Sequence, residues 1–245
     1  MTANIERGSE RVSQPIRAVF FDLDGTLLDT KTGIVEAFRR ACQDLKLSPL
    51  PPADAIAREI GPPIGEMAKA LGLPLPPEAV DELVARYRAH YETMGPEHSP
   101  PFPGIPEVLE GLEKLREAIP GFVLGVATNK LTPVAERVLD DVGLKAFFDV
   151  IQGVDPDLRP KPAPDILTRA LQRGGAQAET SIFIGDTRGD LLTARAVGTR
   201  SGLAAYGYGA EAVPPTLVPD LRIERPQELL VYLHQTLAGC GEALS

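Results

Sequence analysis

The chain has 245 residues, 43% of them hydrophobic and 24% charged. That is enough apolar material for a sizeable core in one large domain, or in one domain with an insertion, and it excludes disorder as the default state. A formal net charge of -9 argues against a surface for nucleic-acid polymers or anionic membranes, which would need a clustered basic face, so any anionic ligand must be held by a local site.

Residues 1–15 are polar, set Arg7 and Arg11 beside Glu6 and Glu10, and contain no apolar core of signal-peptide length, so a loose tail is expected. No later run is long enough to span a membrane. Cys42 and Cys240 lie far apart and share no metal-ligand spacing, which fits incidental thiols in a reducing cytoplasm.

Ile16, Ala18, Val19, Phe20 and Phe21 form a nearly continuous apolar run, as in a parallel strand covered on both faces. The run stops at Asp22-Leu23-Asp24-Gly25-Thr26, two carboxylates one residue apart at a strand tip. Asp29-Thr30 offers a helix cap, and Ile34, Phe38, Ala41 and Leu45 then recur at helical spacing. From the proline-rich stretch at Ser48 to about residue 121 there is no convincing strand. Residues 53–60, 64–71 and 77–94 read as helices, so 32–100 is expected to be a helical cap inserted into a core of 16–31 and 101–245. Pro100-Pro101-Phe102-Pro103-Gly104 is the stiff return linker.

A helix follows with Val108, Leu112, Leu115 and Ile119 on one face. Residues 122–127 form a second buried strand that ends at Thr128-Asn129-Lys130. Next come a helix with Val134, Val138 and Val142, a short apolar run at 147–151, and a helix over 163–172 stopped by Gly174-Gly175. Ser181 to Gly185 is a strand that again ends in an acid, Asp186. A helix containing Leu191 to Val197, with Asp190 in its first turn, then a run at 201–205, an edge strand at 221–223 and a helix at 227–237 close the chain. Strands alternating with helices imply an α/β fold, a Rossmann-like parallel sheet sandwiched by helices.

Four polar groups thus fall at or after strand ends: Asp22/Asp24, Thr128/Asn129, Lys161 in Arg159-Pro160-Lys161-Pro162, and Asp186/Asp190. In a parallel sheet those ends share one edge and can meet in one crevice. Carboxylates suit a hard divalent cation, while a hydroxyl, an amide and an ammonium suit phosphate oxygens. A phosphoester dianion approaching a carboxylate meets like-charge repulsion, which a cation and Lys161 would offset.

In order and context these four segments resemble the motifs of the haloacid dehalogenase superfamily, mostly phosphotransferases, over residues 16 to 238. The resemblance implies that Asp22 is a nucleophile forming an aspartyl-phosphate and also a Mg²⁺ ligand. It implies that Asp24 is first general acid and then general base, with its backbone carbonyl on the metal. Thr128 and Asn129 would bind the phosphoryl group, Lys161 would neutralise nucleophile and phosphate, and Asp186 would complete the metal site. Asp190 is either a further metal ligand or a partner that holds a ligand in place, or an acid favoured by the helix dipole.

The dehalogenases and phosphonate-cleaving members usually lack an Asp at the position of Asp24, so phosphoryl transfer is implied. The helical insertion, Ala127-Thr128-Asn129-Lys130, Phe102-Pro103-Gly104 and Tyr206-Gly207-Tyr208-Gly209 resemble the phosphoglycolate phosphatase-like branch. The implied activity is Mg²⁺-dependent hydrolysis of a small-molecule phosphomonoester, with 2-phosphoglycolate one candidate substrate. A sugar phosphomutase, a nucleotidase or pyrophosphatase, and a regulatory binding protein retaining the fold are the alternatives. The fourth motif has Thr187 where Ser is more usual, and the cap loop Ile60-Gly61-Pro62-Pro63-Ile64-Gly65 carries no Arg or Lys for a substrate carboxylate. Lys69, Arg58 and Arg88 are the cap cations to test. Oligomeric state is not legible.

Overall fold

Ala18–Phe21 form the first strand, β1, and all four side chains are buried. The burial follows from position, because β1 pairs in parallel with β2 (Val123–Ala127) on one side and with β4 (Ser181–Gly185) on the other, with Phe21 opposite both Val126 and Ile184. Adding β3 (Val150–Gln152), β5 (Arg200–Ala204) and β6 (Leu221–Ile223) completes a six-stranded, all-parallel sheet in the order β3-β2-β1-β4-β5-β6. The order reverses between β1 and β4, and outside the carboxyl ends of strands at such a switch point a crevice opens. The computed structural model describes residues 14–238. The expected tail, except its last two residues, and Cys240 lie outside them.

Alternate side chains of β1 serve opposite layers, as the two-residue strand period requires. Val19 and Phe21 join an apolar cluster with Leu109 and Leu112 of α5 (Ile105–Ala118), Leu139 of α6 (Thr132–Asp141) and Leu233 of α9 (Glu228–Ala238). Ala18 and Phe20 join a second cluster with Ile166 and Leu167 of α7 (Asp165–Gly174) and Ala194 of α8 (Arg188–Val197). The sheet is therefore the middle of three layers.

Between β1 and α5 the chain makes α1 (Lys31–Asp44), α2 (Ala53–Arg58), α3 (Ile64–Ala70), α4 (Pro77–Glu92) and a 3-10 turn, Pro96–His98. No strand occurs there, in keeping with the helical reading of that stretch. Apolar residues at helical spacing, Ile34, Phe38 and Ala41 on α1, and Leu83, Tyr87 and Tyr91 on α4, bury the faces along which these two helices pack. The outgoing and returning chains lie side by side, with Asp29 N donating to Pro100 O at 2.8 Å and Phe102 N to Leu27 O at 3.0 Å. Among the described residues no helix is long and apolar enough to cross a membrane.

Two local expectations change. Thr30 stands at the N-cap of α1 but its hydroxyl makes no capping bond. That buried hydroxyl lies 3.0 Å from the Tyr208 phenol oxygen instead, a partner 178 residues away that no local pattern announces. The apolar run at 147–151 divides between a 3-10 turn, Lys145–Phe147, and β3 starting at Val150. There Asp149 accepts from Leu124 N at 2.9 Å and so sets the register.

Candidate active site

The crevice between β1 and β4 receives two acids because each strand gives way to a carboxylate at its carboxyl end. Asp22 follows β1, its N–H still bonded to Ile184 O at 2.8 Å, and Asp186 follows β4. Gly25 turns the chain back above them at a φ of 85°, where a Cβ would sit 2.2 Å from Asp186 Oδ2, so only glycine fits. Asp186 is held by Gly209 N at 2.7 Å and by the Thr26 hydroxyl at 3.4 Å.

Lys161 enters from the loop after β3. Its ammonium lies 2.7 Å from Asp22 Oδ1 and 2.6 Å from Asp190 Oδ1, and donates to Ala127 O at 3.2 Å. Asp190 is fixed from its other oxygen by a capping box at the start of α8, in which Oδ2 accepts from Thr187 N at 2.9 Å and Thr187 Oγ1 at 2.5 Å. Asp190 is thus both a helix-terminus acid and the partner of Lys161. Asp22 Oδ1 has the Lys161 ammonium as its ion-pair partner.

Asp22, Asp186 and Asp190 each bring one carboxylate oxygen within 4.8 Å of the others, and all three are buried. One ammonium faces three carboxylates, which leaves two negative charges uncompensated in a site withdrawn from water. Buried charge of that kind is tolerated when it is paired or coordinates a metal. All-oxygen donors clustered in this way fit a hard divalent cation. Protonation states tell the same story. Burial, reinforced by Asp190 and Asp24 and only partly relieved by Lys161, pushes the Asp22 carboxyl up to about 7. Burial, with Asp190 and Asp22 nearby, holds Asp186 well above the usual carboxylate range. For Lys161, burial works against the ammonium but Asp190 and Asp22 outweigh it, and the group is held above an ordinary lysine.

Asp24 faces away from this cluster. Its Oδ2 lies 3.0 Å from Lys130 Nζ, while Oδ1 is buried without a partner. Lys130 also sits 4.4 Å from the centroid of the Tyr91 ring on α4, which stacks on Tyr87. The Asp24 side chain is therefore not among the clustered oxygens; its expected metal contact was through the backbone carbonyl. Thr128 is buried at the end of β2. Asn129 is used on both sides, accepting from Lys161 N at 2.8 Å and donating to Gly61 O in the inserted segment at 2.9 Å.

Sequence reasoning did not assign Lys130, Thr187 or Gly209 a part in this network. Lys130 had one signal, its place directly after Thr128-Asn129 at a strand end. Arg159 pairs with Asp165 and Arg58 with Asp54, both on the surface, and Lys69 does not line the cavity.

Above the acids lies a cavity of about 300 Å³. Asp22, Asp24, Thr128, Asn129 and Lys130 form its polar floor, and the 60–65 loop, Met67 and α4 side chains form its walls and roof.

A parallel sheet whose carboxyl edge gathers four acids and two lysines beneath a partly open cavity defines an α/β enzyme. The family model for haloacid dehalogenase-like hydrolase matches residues 19–204, and the chain belongs to that family. It is 40% identical over 231 residues, covering 92% of this chain and 94% of the relative, to the protein named "Probable phosphatase IndB" of Dickeya dadantii. It is 32% identical over 215 residues to the phosphoglycolate phosphatase of Aquifex aeolicus, covering 88% of this chain and 95% of the relative. Among solved structures, a haloacid dehalogenase-like hydrolase from Streptococcus pneumoniae superposes with a TM-score of 0.77 at 33% identity, covering 89% of this chain and 98% of that one.

Proposed function

We propose that the protein is a Mg²⁺-dependent phosphatase of small-molecule phosphomonoesters that works through an aspartyl-phosphate on Asp22. The observation that carries this reading is the buried Asp22 carboxylate, paired with Lys161 at 2.7 Å and clustered with Asp186 and Asp190 beneath the cavity. Asp22 attacks phosphorus and the bond to the ester oxygen breaks. Asp24 gives that oxygen its proton, leaving as the free alcohol. Asp24 Oδ1, without a partner while Oδ2 meets Lys130, is the oxygen suited to carry it. Asp24 then takes a proton from the water that hydrolyses the acyl phosphate, which releases phosphate and restores Asp22.

Lys161 offsets the repulsion between the phosphate and Asp22, and the Thr128 hydroxyl binds a phosphoryl oxygen. Asn129 holds the Lys161 loop against the Gly61 loop. Asp22, Asp186 and Asp190, with the Asp24 carbonyl, would hold Mg²⁺, which when bound neutralises phosphoryl charge. The 32–100 segment is the cap, which excludes bulk water and sets specificity. 2-Phosphoglycolate belongs in the substrate panel because the Aquifex relative is named for it.

The test is phosphate release from a panel of phosphomonoesters with Mg²⁺ and with chelator. Chelator-sensitive release is expected, and Asp22→Asn should lower it by at least about 10³-fold while the protein stays folded. Undiminished turnover in that variant would remove Asp22 as the nucleophile. From a hexose 1-phosphate the expected product is free phosphate, not an isomer.

A further inference from the structure

The cavity that meets the leaving group is walled mainly by aliphatic side chains. Ile34 comes from α1, Ile60 and Ile64 flank the Pro62-Pro63 turn, Met67 comes from α3, Val84 from α4 and Val134 from α6. Three of these, Ile34, Ile60 and Met67, are almost wholly buried, so they form walls and not an exposed rim. The charged side chains in the lining divide into two sets. On the floor, the Lys130 ammonium is already paired with Asp24 at 3.0 Å. At the solvent edge, exposed Arg88 and Glu92 carry opposite charges. Apart from Arg88 at the exposed edge, the lining thus offers no unpaired cation to a second anionic group, and beyond the floor the phenols of Tyr87 and Tyr91 are its main polar groups toward a polyol.

Its volume, about 300 Å³, lies at the lower end of the roughly 300–1,000 Å³ range of pockets that bury organic ligands. A two-carbon leaving group would leave much of that apolar wall facing water. A ring-sized apolar group would cover it.

Resting on the phosphatase reading above, we propose that the natural substrate class is phosphomonoesters of bulky, mainly apolar alcohols, with a ring or branched chain next to the ester carbon, and not doubly anionic or polyol phosphates. Burial of such a group is uniform binding, felt alike by substrate and transition state, so the preference falls on KM more than on kcat.

The experiment compares primary-alcohol esters with similar leaving oxygens: ethyl, butyl, cyclohexylmethyl and 2-phenylethyl phosphate, beside glycerol phosphate and 2-phosphoglycolate, all with Mg²⁺. A ring-sized group should raise kcat/KM roughly ten- to a hundredfold over ethyl phosphate, mostly through KM, with 2-phosphoglycolate and glycerol phosphate no better than ethyl phosphate. If all esters turn over equally, or 2-phosphoglycolate leads, the apolar-substrate proposal fails while the phosphatase reading stands. If none turns over, the phosphatase reading fails, and calorimetry on Asp22→Asn decides the cavity's preference. Tighter binding of 2-phenylethyl than of ethyl phosphate supports it, and equal or weaker binding overturns it.

Discussion

Lys130 Nζ lies 3.0 Å from Asp24 Oδ2 and 4.4 Å from the centroid of the Tyr91 ring, so one buried ammonium joins the second acid of Asp22-Leu23-Asp24 to a helix of the inserted segment. Burial alone would discharge this lysine. Asp24 and the phenols of Tyr91 and Tyr87 outweigh it and hold the group above the ordinary lysine range. Removing the lysine strands a mostly buried carboxylate, and broken buried pairs cost about 3–5 kcal/mol. Lys130→Met should therefore destabilise by about 3 kcal/mol, a fall of roughly 6–12 °C in melting temperature for a chain this long. It should also lower kcat by about 10²-fold through misplacement of Asp24. A double-mutant cycle with Asp24→Asn checks the coupling, since the double variant should melt above Lys130→Met. Additive losses would mean that the two side chains do not interact.

The carboxyl of Asp22 gives a pH prediction with a definite sign. Its folded value of about 7 lies above the ordinary 3.8, so without metal the native state binds more protons than the unfolded chain between those limits. Stability from this group is complete below about pH 4 and is lost as pH rises through about 7. Asp186, also raised, adds in the same direction. Melting curves in chelator should fall with pH over this window for the wild type and fall less for Asp22→Asn. Added Mg²⁺ should stabilise more above pH 7 than below it, because protons and metal compete for the same oxygens. A Mg²⁺ effect that shrinks as pH rises would contradict the assignment of the ligands.

Much of this site was legible before any coordinates, because each buried strand announces itself as an apolar run and each run stops at a polar residue. Asp22, Thr128 and Asp186 could be placed on one sheet edge from that pattern alone, and the structure brings them there. The partners of those residues were not legible. Lys130 pairs with Asp24 on the cavity floor, Thr30 turns to Tyr208, and Gly209 N bonds Asp186 Oδ2 from beyond β5. Spacing specifies which face of an element a residue occupies, but a pairing between distant loops depends on how the elements pack. The helices of the inserted segment show the same division. Their existence followed from helical spacing and their boundaries moved by only a few residues, whereas the aliphatic cavity arises only when α1, α3, α4 and the 60–65 loop meet above the sheet.

Thr187 shares three hydrogen bonds with Asp190, two to its carboxylate and one from its N–H, and so sets the orientation of the acid that partners Lys161. The motif tolerates Thr in place of Ser because the capping bond needs only the hydroxyl. Thr187→Ser should melt within about 1 kcal/mol of the wild type, whereas Thr187→Val should lose about 1–2 kcal/mol with the cap. Activity should follow in the same order, since an Asp190 carboxylate left with only the backbone N–H of residue 187 holds Lys161 against Asp22 less firmly. Chemical denaturation and kcat measured on both variants check this. Equal behaviour of Ser and Val would mean that the hydroxyl has no anchoring role.

Asn129 makes the most economical connection between the two lobes of the site. One amide accepts from Lys161 N at 2.8 Å and donates to Gly61 O at 2.9 Å, so the Lys161 loop and the roof of the cavity share one side chain. Asn129→Asp keeps the acceptor for Lys161 and removes the donor to Gly61, whereas Asn129→Leu removes both. If the amide sets the roof relative to the lysine, Asp should raise KM while sparing most of kcat. Leu should lower kcat as well, by roughly 10²-fold, because a small misplacement of a charged group at the reacting centre costs that much. Stability should fall by about 1–3 kcal/mol in the Leu variant, which leaves two partly buried backbone groups unpaired. Steady-state kinetics on the two variants separates the roles, and a matching loss of kcat in both would show that the bond to Gly61 matters to chemistry and not only to binding.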